Sequence, residues 1–126
     1  MATLTLTTAA RNAACNAIVD LVDAGAGDST LVFYAADTTT EVATLTFAAT
    51  AFGAANTGVA TADTIASDTS ATGGTTTIAK FLDGDGTEVL QCAVGTSGSD
   101  INLSNNVIAA GETVAITALT VTVPAS

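Results

Sequence analysis

The stretch Ser29-Thr30-Leu31-Val32-Phe33-Tyr34-Ala35, followed after a short polar break by Glu41-Val42-Ala43-Thr44-Leu45-Thr46-Phe47-Ala48, decides the fold class. The first half is nearly continuous in β-formers, as in a central strand covered on both faces. The second half alternates, with Ala43, Leu45 and Phe47 on one face and Val42, Thr44 and Thr46 on the other. A period of two is the spacing of a strand. The same grammar continues outward from here. Phe52-Gly53 and Asn56-Thr57-Gly58 are turn signals, and Val59 to Ser67 reads as the next strand. Asp68 to Gly74 is a small-residue loop without periodicity, expected to be a mobile tip.

Thr75 to Leu82 and Glu88 to Gly95 flank Asp83-Gly84-Asp85-Gly86-Thr87, where Asp-Gly supplies the backbone freedom that a hairpin turn requires. Ile101 to Leu103 and Val107 to Ala109 are short strands around Asn105-Asn106. The last strand is expected over Thr113 to Val123, closed by Pro124. Val114 and Ile116 there have the opposite parity to Leu119, Val121 and Val123, so a bulge or bend near Ala118 is needed to bring both sets to the core.

Only the N-terminal part breaks the pattern. From Ala9 to Ala24 the residues Ala14, Ile18, Leu21 and Val22 recur at helical spacing, with Cys15 and Val19 beside them. Thr7 or Thr8 can cap this helix, and Gly25 and Gly27 end it. Asp20 and Asp23 fall near the negative end of its dipole, which is mildly unfavourable. The expected architecture is therefore mainly β: an antiparallel β-sandwich or jelly-roll-like barrel with one N-terminal α-helix. Residues 1–7 read as an N-terminal arm or edge strand, and 8–126 as a single β-rich domain including helix 8–24.

Composition narrows the chemistry. The 126 residues contain no His and no Trp, and Arg11 and Lys80 are the only Lys or Arg. Proton transfer, anion gripping and metal binding rely on residue types that are nearly missing here. Ser and Thr are abundant, but hydroxyl activation lacks its usual base, and Cys15 lacks a His to make it a nucleophile. No catalytic residue and no cofactor is expected. The formal charge of −10 excludes a basic stripe for nucleic acid and disfavours anionic membranes. The longest uncharged stretch, Val42 to Ala62, is interrupted by Gly53 and Gly58 and is no membrane-spanning helix. A basic apolar leader is not visible at the start, so a soluble chain made in a cytosol is expected.

Individual candidates are few. Asp83-Gly84-Asp85-Gly86-Thr87-Glu88 could gather carboxylates around Ca²⁺, yet the spacing of a calcium-binding helix-loop-helix fails at Glu88 and Val94. A turn used for its backbone geometry outweighs that reading. The pair Asp83 or Asp85 with Glu88, acting as in glycosidases, lies in an exposed turn where nothing raises a pKa. Cys15 and Cys92 read first as small buried hydrophobes and second as a disulfide. Phe33, Tyr34, Phe47, Phe52 and Phe81 read as core. Lys80 is expected to pair within the domain, while Arg11 is open to an interface role because its guanidinium can hold a carboxylate with two bonds.

Several segments have a wider resemblance. Thr7-Thr8-Ala9-Ala10-Arg11-Asn12-Ala13-Ala14-Cys15-Asn16-Ala17-Ile18-Val19-Asp20-Leu21-Val22-Asp23-Ala24-Gly25 resembles the opening of a group of small tailed-bacteriophage proteins. Ala43-Thr44-Leu45-Thr46-Phe47, Ala51-Phe52-Gly53, Val94-Gly95-Thr96-Ser97-Gly98 and Val114 to Pro124 are similar as well, so the likeness runs along nearly the whole chain. Such proteins are encoded among virion structural genes, and some resemble head-decoration (cement) proteins. The resemblance implies a structural virion protein, assembled in the host cytoplasm, and the capsid surface is the position expected for it. Its partners would be the major capsid protein and copies of itself, as a homotrimer. Leu4, Thr5, Leu6, Thr7 and Arg11 would then be its interface residues. A tail-tube, tail-tip or fibre-associated protein is the alternative, and a carbohydrate-binding module a more distant one.

Overall fold

The computed structural model describes residues 4–125, and the first three residues of the expected arm lie outside them. The helix α1 spans Thr8–Val22. Thr7 stands just before it in extended backbone, and its hydroxyl accepts a hydrogen bond from the Ala10 amide at 3.2 Å. That side-chain cap satisfies one of the free donors at a helix start. Cys15, Val19 and Val22 are buried, at the spacing of one helical stripe. The helix stops two residues short of Ala24, at the C-cap Asp23, and Gly25 then turns the chain at φ +97°.

Nine strands follow: β1 Thr30–Tyr34, β2 Glu41–Thr46, β3 Val59–Thr61, β4 Gly74–Thr75, β5 Ile78–Leu82, β6 Glu88–Gly95, β7 Ile101–Asn102, β8 Val107–Ile108 and β9 Thr120–Thr122. The fold is mainly β with one helix. A curled five-stranded sheet in the order β2-β1-β5-β6-β7 forms its larger layer, and the pairs β3-β9 and β4-β8 form two small ribbons. The sheet is mixed, because β7 runs parallel to β6.

Register places Leu45, Leu31, Phe81 and Leu90 in one row across the sheet, with Ala43, Phe33, Ala79 and Cys92 in the next. Those rows face the core. β1 is the well-covered strand its sequence predicts, with Leu31, Val32 and Phe33 all buried. Val42 departs from its expected polar face. The β1–β2 register slips between Phe33 and Tyr34, leaving Val42 as an extra residue, and its side chain is fully buried. Phe47, Phe52 and Phe81 meet in the core with ring centroids 5.5 to 6.2 Å apart. Clustering three aromatics in this way concentrates much of the apolar burial that an Ala-rich chain can make.

Two expectations about long strands fail, for one physical reason. Val59 to Ser67 is a strand only through Thr61, and beyond it single bridges join Ala62 to Phe52 and Ala66 to Thr46. Thr113 to Val123 is a strand only over Thr120–Thr122, with a single bridge from Val114 to Asp68 upstream. Val114 and Leu119 still both reach the core. Small side chains let these segments make isolated contacts with several neighbours, so alternation does not commit them to one long ladder.

The expected mobile tip is also corrected: Asp68 to Gly74 is laced down by hydrogen bonds. Asp68 exchanges two backbone bonds with Val114, Ala71 donates to Glu112, and Gly73 donates to the Val42 carbonyl at 3.1 Å. Asp68 also accepts from the Thr44 amide at 2.8 Å. These bonds cover the outer edge of β2, which would otherwise present open donors and acceptors.

Candidate interaction surface

The helix carries a second stripe beside its apolar one. Asn12, Asn16 and Asp23 fall on one line along α1, and each side-chain oxygen accepts a backbone amide from the same loop. Asn12 takes Gly58 at 2.8 Å, Asn16 takes Ala55 at 2.8 Å and Asp23 takes Ala51 at 2.7 Å. This accounts for Asp23 near a helix C-terminus, where its charge is unfavourable to the dipole. Its acceptor is used on a loop amide instead. Loop and helix meet closely: Thr57 (φ +51°) and Gly58 (φ +79°) form a tight turn, bonded across from Asn56 to Val59 in both directions. A Cβ at Gly58 would lie 2.6 Å from the Val123 carbonyl oxygen. The sequence signal for this clamp was a polar stripe at helical spacing, which looks like a solvated face.

Arg11 sits at the same junction. Its Nε donates to the Val123 carbonyl at 2.9 Å, so it ties the start of α1 to the end of β9 within its own chain. Among the expected interface residues, the other four precede the helix. Leu6 donates its amide to the Ala125 carbonyl at 2.7 Å. Leu4, Thr5 and Thr7 are exposed, Leu4 to 79%. The structure therefore brings Arg11 and the arm to one end of the molecule, but uses Arg11 internally and leaves Leu4 uncovered.

The acidic turn spends its carboxylates locally. Asp83 accepts from the amides of Asp85 and Thr87, both at 2.9 Å, and Asp85 accepts from Ala26 at 3.3 Å. Gly84 packs so tightly on Gly27 that neither can carry a side chain without displacing the other's backbone. The turn thus docks the loop after α1. No group of three or more His, Cys, Asp or Glu side chains fit to hold a metal ion occurs among the described residues.

Lys80 bonds to Glu88 at 3.2 Å on the outer face of the sheet, 5.0 Å from the centroid of the Tyr34 ring. Phe33, Phe47, Phe52 and Phe81 are buried, while Tyr34 is half-buried on that outer face. Cys15 and Cys92 are free thiols. Cys15 donates to the Val121 carbonyl at 3.3 Å. Burial, aided by the nearby Asp100 charge, pushes the Cys92 thiol up to about 11.

Among the described residues, two depressions adjoin. One, of about 460 Å³, lies between Asp100–Asn105 and Glu112–Leu119. The other, of about 270 Å³, separates β6 at Leu90–Cys92 from β9 at Thr120–Thr122 and reaches Phe81. Asp100, Ile101 and Leu119 border both. Neither is lined by Asp83, Asp85 or Glu88, the only carboxylate pairing that sequence suggested for acid–base work. No helix among the described residues is long and apolar enough to cross a membrane. No family model, no curated protein and no solved structure matches this chain.

Proposed function

We propose that this chain is a structural virion protein of a tailed bacteriophage, binding the outside of the capsid and cementing neighbouring capsomers. It works by contact and not by catalysis, with the major capsid protein and its own copies as partners. The observation that carries this reading is the arm. Leu4 to Leu6 precede the helix cap Thr7, with Leu4 79% exposed and one backbone bond at Leu6 holding the base of the arm. An exposed, uncharged, alternating segment next to a tightly bonded domain is the arrangement by which one subunit adds to another's surface.

The rest of the molecule supports the same role. Several polar side chains fix backbone: the three clamps from α1, the Asp68 cover on β2 and the Asp83 turn. A shell-binding protein needs such internal rigidity. The acidic charge keeps free copies apart and lowers affinity for nucleic acid. The experiment is localisation in assembled particles, followed by stripping the protein and measuring resistance to heat and osmotic shock. Binding at capsid positions with loss of resistance on stripping supports cementing. Density on the tail transfers the reading to a tail-tube, tail-tip or fibre-associated protein, and unchanged resistance overturns it.

A further inference from the structure

We propose that the cleft between β6 and β9 is the seat of a missing strand, supplied by the N-terminal arm of a second copy of this chain. Hydrogen-bond parity fixes which backbone groups face the cleft. The Val94 amide donates to Thr77, which makes Cys92 and Leu90 the residues of β6 whose backbone groups turn toward β5. Gln91, between them, turns its amide and carbonyl the other way. On the far wall, Val123 donates to Gly58 and Ala62 donates to Leu119, so Val121 is bonded to β3. Thr120 and Thr122 therefore turn their backbone groups away from β3, toward the cleft. Two strand edges thus border one gap, and neither Gln91, Thr120 nor Thr122 has a backbone partner across it among the described residues.

Two neighbouring stretches of sheet edge are closed. β2 is covered by the Asp68–Gly73 segment. Further along β6, Asp100 caps the Ala93 amide at 3.0 Å and β7 pairs with Val94 and Gly95. A strand entering the gap joins β6 to β9 and closes the two layers into one continuous wall.

The choice of occupant follows from charge and pattern. Each copy carries a formal −10 and Asp100 stands at the cleft, so copies approach best through an uncharged segment. The first ten residues carry no charged side chain. Thr3 to Thr7 alternates, so Leu4 and Leu6 share a face. That face suits the apolar floor given by Phe81, Leu90, Leu119 and Val121, while Thr5 points outward. Leu4 to Leu6, when extended, cover about 10 Å, enough to run past Gln91 on one side and Thr120 and Thr122 on the other, while Thr7 stays on its own helix. Residues 4–7 line neither depression of their own chain; Thr7 is held by capping α1, and before it the Leu6–Ala125 bond is the backbone restraint among the described residues. Arm donation of this kind is head-to-tail, so it closes into a ring, as a trimer would, or extends as a fibre.

The test uses purified chain in solution, without phage components, so its outcome is separate from that of the virion reading. Sedimentation of the full chain over a range of concentrations is expected to show association. A variant lacking residues 2–6, which keeps the Thr7 cap, is expected to be monomeric. Gln91→Pro removes only an outward amide, a change that edge positions tolerate, and is also expected to be monomeric. Mixed together, these two variants are expected to form a one-to-one heterodimer, because one still donates an arm and the other still offers the cleft. Should Gln91→Pro lose its native circular dichroism, Leu4→Asp, a point change on the donor side, takes its place and must abolish association. A full chain that stays monomeric, or an arm-less variant that associates as the full chain does, overturns the proposal.

Discussion

Replacing Asn16 by Ala tests whether the polar stripe of α1 holds the molecule together. The Asn16 oxygen accepts the Ala55 amide at 2.8 Å in a part-buried setting. Truncation deletes the acceptor and leaves the Ala55 donor short of a partner, a loss of about 1 kcal/mol for a neutral bond of this type. Asn12→Ala removes the equivalent bond to Gly58 and is expected to cost a similar amount. Asp23→Ala removes a charged acceptor 2.7 Å from the Ala51 amide, for which about 2 kcal/mol is reasonable. The triple variant then loses at most about 4 kcal/mol, a large share of the roughly 5–15 kcal/mol that holds an ordinary domain folded. All three bonds end on residues 51–58, so the losses are expected to be less than additive once the loop lifts. Urea unfolding measures this, with an unchanged dependence on denaturant showing that the native fold persists. Asn16→Asp keeps an acceptor oxygen and serves as the control, expected within about 0.5 kcal/mol of the parent. If Asn16→Ala matches that control, the stripe is decoration and the apolar face of α1 alone seats the helix.

The remaining predictions concern single sites. Gly84→Ala drives a methyl into the backbone of Gly27 and should cost about 1–3 kcal/mol by calorimetry, whereas a parent-like melting temperature would mean that the two loops move apart freely. Burial raises the Cys92 thiol to about 11 from the ordinary 9.0, so at pH 8 it should react with a thiol reagent far more slowly than in the unfolded chain. Because that thiol holds its proton longer when folded, its contribution is full below pH 9 and fades as pH rises toward 11; stability rising over this interval would contradict the burial. Asp37 is fully exposed, yet the Thr40 hydroxyl and the Thr40 and Thr39 amides hold its carboxyl down at about 2. Its carboxylate resonance should therefore titrate with a midpoint near 2, and the contribution of this turn should disappear only as pH falls through that value. A midpoint in the ordinary range near 4 would show the turn to be open in solution.

The candidate surface was partly legible in advance. Thr/Leu alternation marked the arm, and the scarcity of cations made Arg11 and Lys80 conspicuous. Neither cation could be assigned from composition, because each was decided by what lay beside it after folding. Arg11 went to the Val123 carbonyl and Lys80 to Glu88. The cleft could not be read at all. Its borders, Gln91 on one strand and Thr120 and Thr122 on another, are set by which way each backbone amide turns in the folded sheet.

Local pattern by itself determined α1, its Thr7 cap, the pair β1–β2 and the hairpin β5–β6. Each depends on neighbours within one or two turns of chain, where period and turn residues act directly. Tertiary structure decided the parallel docking of β7, the breaking of the two long alternating stretches into short strands, and the cover over β2. Those outcomes depend on partners dozens of residues away. In a chain whose alternating positions are mostly Ala and Thr, side-chain bulk is too small to select one partner over another. Backbone hydrogen bonds and a few carboxylates, notably Asp68, Asp83 and Asp100, made the selection once the core had closed.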